Sequence, residues 1–352
     1  MRLLITGGAG YIGSHTTRLF QKLGHEVVVF DNLRHGHREA LSGCRLIVGD
    51  LGDTALLESI FARERFDAVV HFAALTAVGE SVQDPSLYYW NNVAGTISLL
   101  EAVRQSQTRR IVFSSTAAVY GNPQEIPLRE THPAQPINPY GRTKLVIEQV
   151  LQDYSSAYGL GCAVLRYFNA AGADPSAEIG EDHTPETHLI PLVLQVALGQ
   201  RRQIDVFGTN YPTPDGTCVR DYIHVNDLAS AHVKAVEKIT PGRVLTVNLG
   251  TGRGYSVREV IEACRRITGR EITYHEADAR PGDPAELVAC GDAARSVLGW
   301  EPVSSDLDTI IETAWNWHRS HPNGYARSTE TQTRTLPKLV RPGVHKPIQT
   351  SS

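Results

Sequence analysis

The stretch "NPYGRTK" (138–144) sets a phenol, Tyr140, four residues ahead of an ammonium group, Lys144. Four residues make about one helical turn, so the two side chains share a face. A free phenol titrates near ~10 and is a poor base at neutral pH. A unit positive charge about 6 Å away, at an effective dielectric near 20, favours the phenolate by roughly 2.8 kcal/mol, or about 2 pKa units. An oxidised nicotinamide ring would add a second positive charge, and the pair is expected to bring the phenol towards ~6–7, where a general base works well. That chemistry suits removal of a hydroxyl proton while its carbon gives up hydride. A surface Tyr–Lys pair at this spacing is also an ordinary feature. The upstream "SSTAAVYG" (114–121) argues for the chemical use, because it ends an apolar strand and offers hydroxyls at Ser114 and Thr116. Thr116 is expected to bond the reacting oxygen, and Lys144 and Ser114 to face the nicotinamide end of a cofactor.

A second pattern supplies that cofactor. "TGGAGYIG" (6–13) places glycines at 7, 10 and 13, after the first apolar run and at the head of the first helical one. Gly7 allows a tight turn, Gly10 lets backbone approach a diphosphate at a helix N-terminus, and Gly13 permits close packing. Tyr11 and Ile12 fall in the same loop. Asp31 ends the second apolar run, 18 residues past Gly13, where a carboxylate accepts hydrogen bonds from adenosine ribose hydroxyls. It would repel a 2′-phosphate, so NAD is expected rather than NADP, although Arg34 and Arg38 lie nearby. Asn32, Asp50 and Leu51, then Phe72, Ala73 and Ala74, follow the ends of later strands and are expected to line the same cofactor. Asn92 carries an amide inside a helical run and needs a partner, which is either the cofactor or solvent.

These residues need strands and helices to hold them. Residues 2–6, 26–30, 45–49, 67–72, 109–115 and 162–168 read as buried strands, and 13–23, 53–64, 85–107 and 139–158 as helices between them. Asp84-Pro85 is a good helix start. Near-continuous apolar strands alternating with helices predict an α/β fold, a Rossmann-like, doubly wound parallel sheet. A smaller mixed α/β domain is expected to follow. It has Gly- and Pro-rich loops at 170–188 and 207–217, a helix at 189–199 and a strand–helix pair at 243–267. The boundaries predicted are 1–169, 170–326 and a flexible tail, 327–352, with some later segments returning to the first domain.

The chain's bulk narrows its class. With 352 residues, 41% apolar and 20% charged, it can bury a sizeable core. A formal charge of −4 argues against nucleic acid or an anionic membrane as partner. No apolar run reaches the ~20 residues that span a bilayer. The apolar start is too short for a secretion signal, and the cytoplasm is the expected compartment. Cys44, Cys162, Cys218, Cys264 and Cys290 form no CxxC pair, so neither a disulfide framework nor a metal site is expected.

Taken together, "TGGAGYIGSH", "HFAALTAVGESV", "YYWNNVAGT", "FSSTAAVYG", "NPYGRTK", "LRYFNAAGA", "YPTPDGTCVRDYIHVNDLA" and "RPGDPAELVA" resemble the extended short-chain dehydrogenase/reductase family, and within it the nucleotide-sugar 4-epimerases, from residue 1 to about 325. The resemblance implies a UDP-hexose substrate, with UDP-galactose and UDP-glucose interconverted through a transient 4-keto sugar. Tyr140 would act as base and a retained NAD as hydride store. It implies that Tyr167 and Phe168 line the nicotinamide side and that Asn169 bonds a substrate phosphate. Leu189, Phe207, Arg220, Arg280 and Asp283 would hold UDP and sugar, and the two arginines, placed in loops, suit a diphosphate. A homodimer is implied, pairing the 85–107 and 139–158 helices as a four-helix bundle. Three positions depart from the family pattern. Thr76 stands where many relatives have a lysine near the cofactor diphosphate, and His188 where some have asparagine beside the substrate phosphates. Leu287 lies near the position whose bulk limits the group at sugar C2. A UDP-pentose or UDP-N-acetylhexosamine therefore stays open as substrate. A 4,6-dehydratase would need an acid–base pair where this chain has Ala117 and Ala118. A non-catalytic NAD-binding protein would need no Tyr140, Lys144 and Thr116 together.

Overall fold

A computed structural model describes residues 1–280 and 283–325; the tail expected over 327–352 lies outside them. The first half alternates strand and helix: β1 (Arg2–Thr6), α1 (Tyr11–Lys22), β2 (Glu26–Asp31), β3 (Arg45–Val48), α2 (Thr54–Arg63), β4 (Ala68–His71), α3 (Val78–Gln83), α4 (Pro85–Tyr88), α5 (Gly95–Gln105), β5 (Arg110–Ser114), α6 (Pro139–Tyr158) and β6 (Gly161–Tyr167). The second half is mixed: β7 (Asn169–Ala171), α7 (Leu189–Ala197), β8 (Ile204–Phe207), β9 (Val219–His224), α8 (Val225–Lys238), β10 (Val244–Leu249), β11 (Gly254–Ser256), α9 (Val257–Thr268), β12 (Tyr274–Ala277), β13 (Glu286–Leu287) and α10 (Leu307–Ser320).

Seven strands form one parallel sheet in the order β10-β6-β5-β4-β1-β2-β3. Their side chains are apolar on both faces because helices cover both. Leu3 and Val29 pack with Leu228 and Val236 of α8 on one side, while Leu4 and Phe113 pack with Leu99 of α5 and Ile147 of α6 on the other. The chain runs from β1 outward through β2 and β3, then returns to the opposite flank with β4. The C-terminal ends of β1 and β4 therefore flank a topological switch point, where sheets of this kind leave a crevice for ligands. The edge strand β10 comes from the 243–267 segment, which resolves into β10, β11 and α9 rather than one strand and one helix.

The helix expected over 85–107 begins as read, with Asp84 Oδ1 accepting from Leu87 N at 3.0 Å and Pro85 in the first turn. It is interrupted by a π-helical stretch, Tyr89–Ala94, before α5. Asn92 sits in that stretch and is fully buried. A smaller body carries β11-β9-β13 with β7 on β9, and a separate parallel pair, β8 and β12. Its core is built by α7, α9 and α10, through residues such as Val193, Ile261 and Ile310. Among the described residues, no helix is long and apolar enough to cross a membrane.

Candidate functional site

The glycine loop joins β1 to α1. Gly7 has φ +71°, and a Cβ there would lie 2.5 Å from Ala73 N, so only glycine lets the loop rest on the end of β4. A Cβ on Gly13 would come within 2.1 Å of Gly7 O, so this glycine lets α1 start tight against its own loop. Gly10, the N-cap of α1, would meet only Gly7 O, at 3.4 Å. Its outer side is open to a ligand, and the first N–H groups of α1 lie beside it, the arrangement that binds a diphosphate. Asp31 closes β2 nearby. Its oxygens accept from Ala9 N at 3.0 Å and Leu33 N at 2.8 Å, and burial pushes its pKa up. Asn32 Nδ2 donates to Asp50 Oδ2 at 2.9 Å, tying the ends of β2 and β3. This cradle suits the adenosine diphosphate half of NAD.

Tyr140 enters from the first turn of α6. Asn138 caps that helix through Oδ1, which accepts from Gly141 N at 2.8 Å, and Pro139 takes the position where no N–H is needed. A Cβ on Gly141 would stand 2.5 Å from Ala118 O. Glycine therefore brings the start of α6 against the loop after β5, which carries Thr116. The Thr116 hydroxyl accepts from Ala118 N at 3.2 Å and, through hydrogen bonding, favours ionisation of Tyr140. Lys144 is buried one turn on. Its ammonium donates to Ser114 O at 2.7 Å and lies 4.8 Å from the centre of the Phe113 ring. The Ser114 and Tyr167 hydroxyls hydrogen-bond each other beside it. Tyr140, Lys144, Thr116, Ser114 and Tyr167 thus lie together at the C-terminal end of β5.

The electrostatics differ from the expectation. Burial raises the Tyr140 phenol to about 12, opposed by a hydrogen bond with Thr116. Burial instead lowers Lys144 to about 7, opposed by the Glu148 carboxylate one turn further along α6. The spacing argument put a full charge in an intermediate dielectric; here desolvation of both groups outweighs their attraction. Burial thus disfavours charge on both groups, and a positive charge bound beside the phenol would favour the phenolate.

Other expected residues are placed less directly. Asn92 spends its amide on the protein: Oδ1 accepts from Leu75 N at 2.8 Å, and Nδ2 donates to Leu75 O at 3.0 Å and Thr143 Oγ1 at 3.2 Å. Instead of reaching solvent, it pins the 75 loop to α6. Tyr11 turns its hydroxyl away from the glycine loop to donate to Gly172 O at 2.5 Å. The Phe72 ring packs on His232, 4.6 Å between centres, which leaves its backbone and those of Ala73 and Ala74 at the switch point. Leu51 is buried in the core against Gly95. Ile12 packs partly into the core on the α8 side.

The expected substrate residues gather on the smaller body. Arg220 lies in β9, not in a loop, and donates to Asp283 Oδ1 at 2.5 Å. The Arg280 guanidinium stacks over Phe207, 3.9 Å from its centre. Leu287 pairs in register with Arg220 and packs in one apolar cluster with Phe168. Asn169 Nδ2 donates to Asp221 O at 3.1 Å. His188 is the N-cap residue of α7 and Leu189 its first residue; the His188 side chain turns back to Glu181 rather than capping the helix.

A buried polar layer that no sequence motif marks lies behind Tyr140 and Lys144. Arg166 Nε donates to Glu148 Oε1 at 3.0 Å and Nη2 to Oε2 at 2.5 Å, both side chains being buried. Ser115 Oγ donates to Glu148 Oε1 at 2.5 Å, and Arg166 Nη1 to the Tyr120 hydroxyl at 3.0 Å. The signal for Glu148 was its place four residues after Lys144, on the same helical face.

A parallel sheet with a glycine cradle at its switch point and a Tyr-Lys-Thr cluster at β5 defines an NAD-binding enzyme of the short-chain dehydrogenase/reductase class. The chain belongs to the NAD dependent epimerase/dehydratase family, whose model matches residues 3–250. It is 54% identical over 333 residues, 94% of this chain and 99% of the other, to a UDP-glucose 4-epimerase of Halalkalibacterium halodurans. Among solved structures it resembles UDP-glucose 4-epimerase from Brucella ovis in complex with NAD (TM-score 0.86, 50% identity, 89% of this chain and 97% of that one). It also resembles the Stenotrophomonas maltophila enzyme with bound NAD and formylated UDP-arabinopyranose (TM-score 0.88, 41% identity, 92% and 99%).

Proposed function

We propose that this chain is the catalyst that interconverts UDP-galactose and UDP-glucose by inverting sugar C4, with NAD as its cofactor. The observation that carries the reading is the meeting of Tyr140, Thr116 and Lys144 at the end of β5 beside the glycine cradle. When bound, NAD would supply the acceptor that stores the C4 hydride until it is returned. The protein moves the proton. Tyr140, as phenolate, accepts the 4-OH proton and returns it after the 4-keto sugar has presented its other face. Thr116 holds the reacting oxygen. Lys144 would hold the nicotinamide ribose; burial lowers its pKa and the Glu148 carboxylate opposes that shift. Around the glycine loop we assign Gly7, Gly10, Tyr11, Ile12, Gly13, Asp31, Asn32, Asp50 and Leu51 to the adenosine side. Phe72, Ala73, Ala74, Asn92, Ser114, Tyr167 and Phe168 are assigned to the nicotinamide side. Asn169, His188, Leu189, Phe207, Arg220, Arg280, Asp283 and Leu287 are assigned to UDP-hexose.

The test is incubation of purified protein with UDP-galactose and no added NAD, followed by assay for UDP-glucose. Product is expected; absence of product with any UDP-hexose ends the reading. The chain is read as two domains, 1–169 and 170–326, with β10 returning to the first, and the cytoplasm as its compartment. A homodimer through the 85–107 and 139–158 helices is proposed because Tyr89, Trp90 and Ile97 leave large apolar surface exposed on the first of them. Light scattering that gave a monomer mass would exclude it.

A further inference from the structure

The loop that leads into α7 contains a feature that hydride chemistry does not use. Its sequence is "EDHTPETH" (181–188), which spaces two carboxylates and two imidazoles as Glu181, His183, Glu186 and His188. In the folded chain one ligand atom from each of the four lies within 4.8 Å of all the others. His183 Nδ1 is 3.1 Å from Glu181 Oε1 and 3.8 Å from a Glu186 oxygen, and His188 Nδ1 hydrogen-bonds to that same Glu181 Oε1 and lies 3.9 Å from Glu186 Oε1. The Glu181 and Glu186 carboxylates are both buried, at 3% and 6% side-chain exposure. Two buried anions side by side are costly unless a cation joins them. Among the described residues, no lysine or arginine makes an ion pair with either.

We propose that Glu181, His183, Glu186 and His188 form a binding site for one divalent transition-metal ion of the zinc type. Imidazole nitrogen with carboxylate oxygen suits zinc, cobalt or nickel, whereas magnesium and calcium prefer all-oxygen sets. A tetrahedral zinc with bonds of about 2.1 Å holds its ligands about 3.4 Å apart, and the separations here straddle that value. The cage is braced as metal ligands are. Glu186 Oε1 accepts from Thr187 N at 2.6 Å and His188 N at 2.8 Å, which fixes that carboxylate and leaves Oε2 free. Trp317 Nε1 donates to Glu181 O at 2.9 Å, and the Tyr325 hydroxyl accepts from Gly180 N at 3.0 Å, so α10 and the turn after it anchor the loop. His183 also packs edge-on against Tyr11 of α1. The ion would neutralise the buried carboxylates and tie the start of α7 to the 180–183 loop that Trp317 of α10 anchors. The half-exposed His188 leaves one side of it open to solvent.

The test uses the full-length protein stripped with a chelator. Cobalt(II) titration followed by visible absorption, and zinc titration by calorimetry, are expected to give one equivalent, with a tetrahedral cobalt spectrum. His188→Ala alters a side chain that is more than half exposed, so the variant should fold. It is expected to bind cobalt and zinc at least tenfold more weakly and to lose the tetrahedral spectrum, and Glu186→Gln should do the same. Wild-type protein that takes up neither ion stoichiometrically would overturn the site and leave a hydrogen-bonded cluster. Equal uptake by wild type and both variants would overturn it too, placing the metal elsewhere.

Discussion

The Lys144 ammonium donates to the Ser114 carbonyl across 2.7 Å, which ties α6 to the last residue of β5. Together with the close approach of Gly141 to Ala118, this hydrogen bond holds the strand end that carries Ser114 and Thr116 against the helix turn that carries Tyr140. The same burial that fixes this geometry disfavours charge on both groups: the phenol is raised to about 12 and the amine lowered to about 7. The protein therefore holds a poor base and a weak cation in register. A positively charged ring placed between them is what would make the base competent.

Tyr140→Phe keeps the ring and removes the hydroxyl. NAD retention is expected to be unchanged, because the glycine cradle is untouched, while turnover falls about 10²- to 10⁴-fold, the usual share of a general base. The check is NAD released on denaturation, measured beside kcat. Near-normal kcat would move the base elsewhere.

Lys144 sets a pH dependence of stability. Its pKa of about 7 in the fold lies below the usual ~10.4 of the unfolded chain. Between those values the unfolded chain holds a proton that the folded one lacks, so stability rises with pH across the window and is lost as pH falls towards 7. Lys144→Met has no such group. Urea unfolding of both proteins without cofactor, from pH 6.5 to about 9.5, should show wild type gaining on the variant as pH rises. A flat difference, or the opposite slope, would mean that Lys144 stays fully charged in the fold.

Glu148 and Arg166 form a bidentate pair behind the site, with 8% and 9% of their side chains exposed. Either partner alone is a buried, uncompensated charge. Glu148→Gln and Arg166→Met are each expected to cost about 3–5 kcal/mol, and the double variant much less than the sum. Denaturant unfolding of the four proteins decides this. Additive losses would show that the two charges do not depend on each other.

The sheet was readable because its strands are buried on both faces and spelled as unbroken apolar runs, such as "EVVVF" and "RRIVFSS". The glycine cradle was readable because each of its glycines has a distinct steric reason. What failed to show were terms that depend on three dimensions. The π-helical stretch at Tyr89–Ala94 leaves the helical pattern of residue types intact, so 85–107 read as one helix. The placement of Arg220 on a strand needed β9, whose sequence "VRDYIH" mixes charges into its alternation. The rise of Tyr140 came from burial, which spacing alone does not give. The helices 225–238 and 307–320 have apolar residues at helical spacing, but they stand among the Gly- and Pro-rich loops of the second half, whose turn signals dominate the local pattern.

Gly141 offers the sharpest test of how the site is positioned. An added methyl there would sit 2.5 Å from Ala118 O and 3.0 Å from Ala118 C, both backbone atoms that cannot swing aside. Either the first turn of α6 or the 116–118 loop has to move, and both carry reacting groups. The rest of α6 remains anchored by Lys144 on Ser114 and Glu148 on Arg166. Gly141→Ala is therefore expected to fold with a small stability loss and to keep NAD. Its kcat should fall about 10²-fold, the effect of a shift near 1 Å on a positioned catalytic pair. Far-ultraviolet circular dichroism, NAD content and kcat on one preparation separate these outcomes. Wild-type kcat in a folded variant would show that the contact between Gly141 and Ala118 does not set the position of Tyr140 against Thr116.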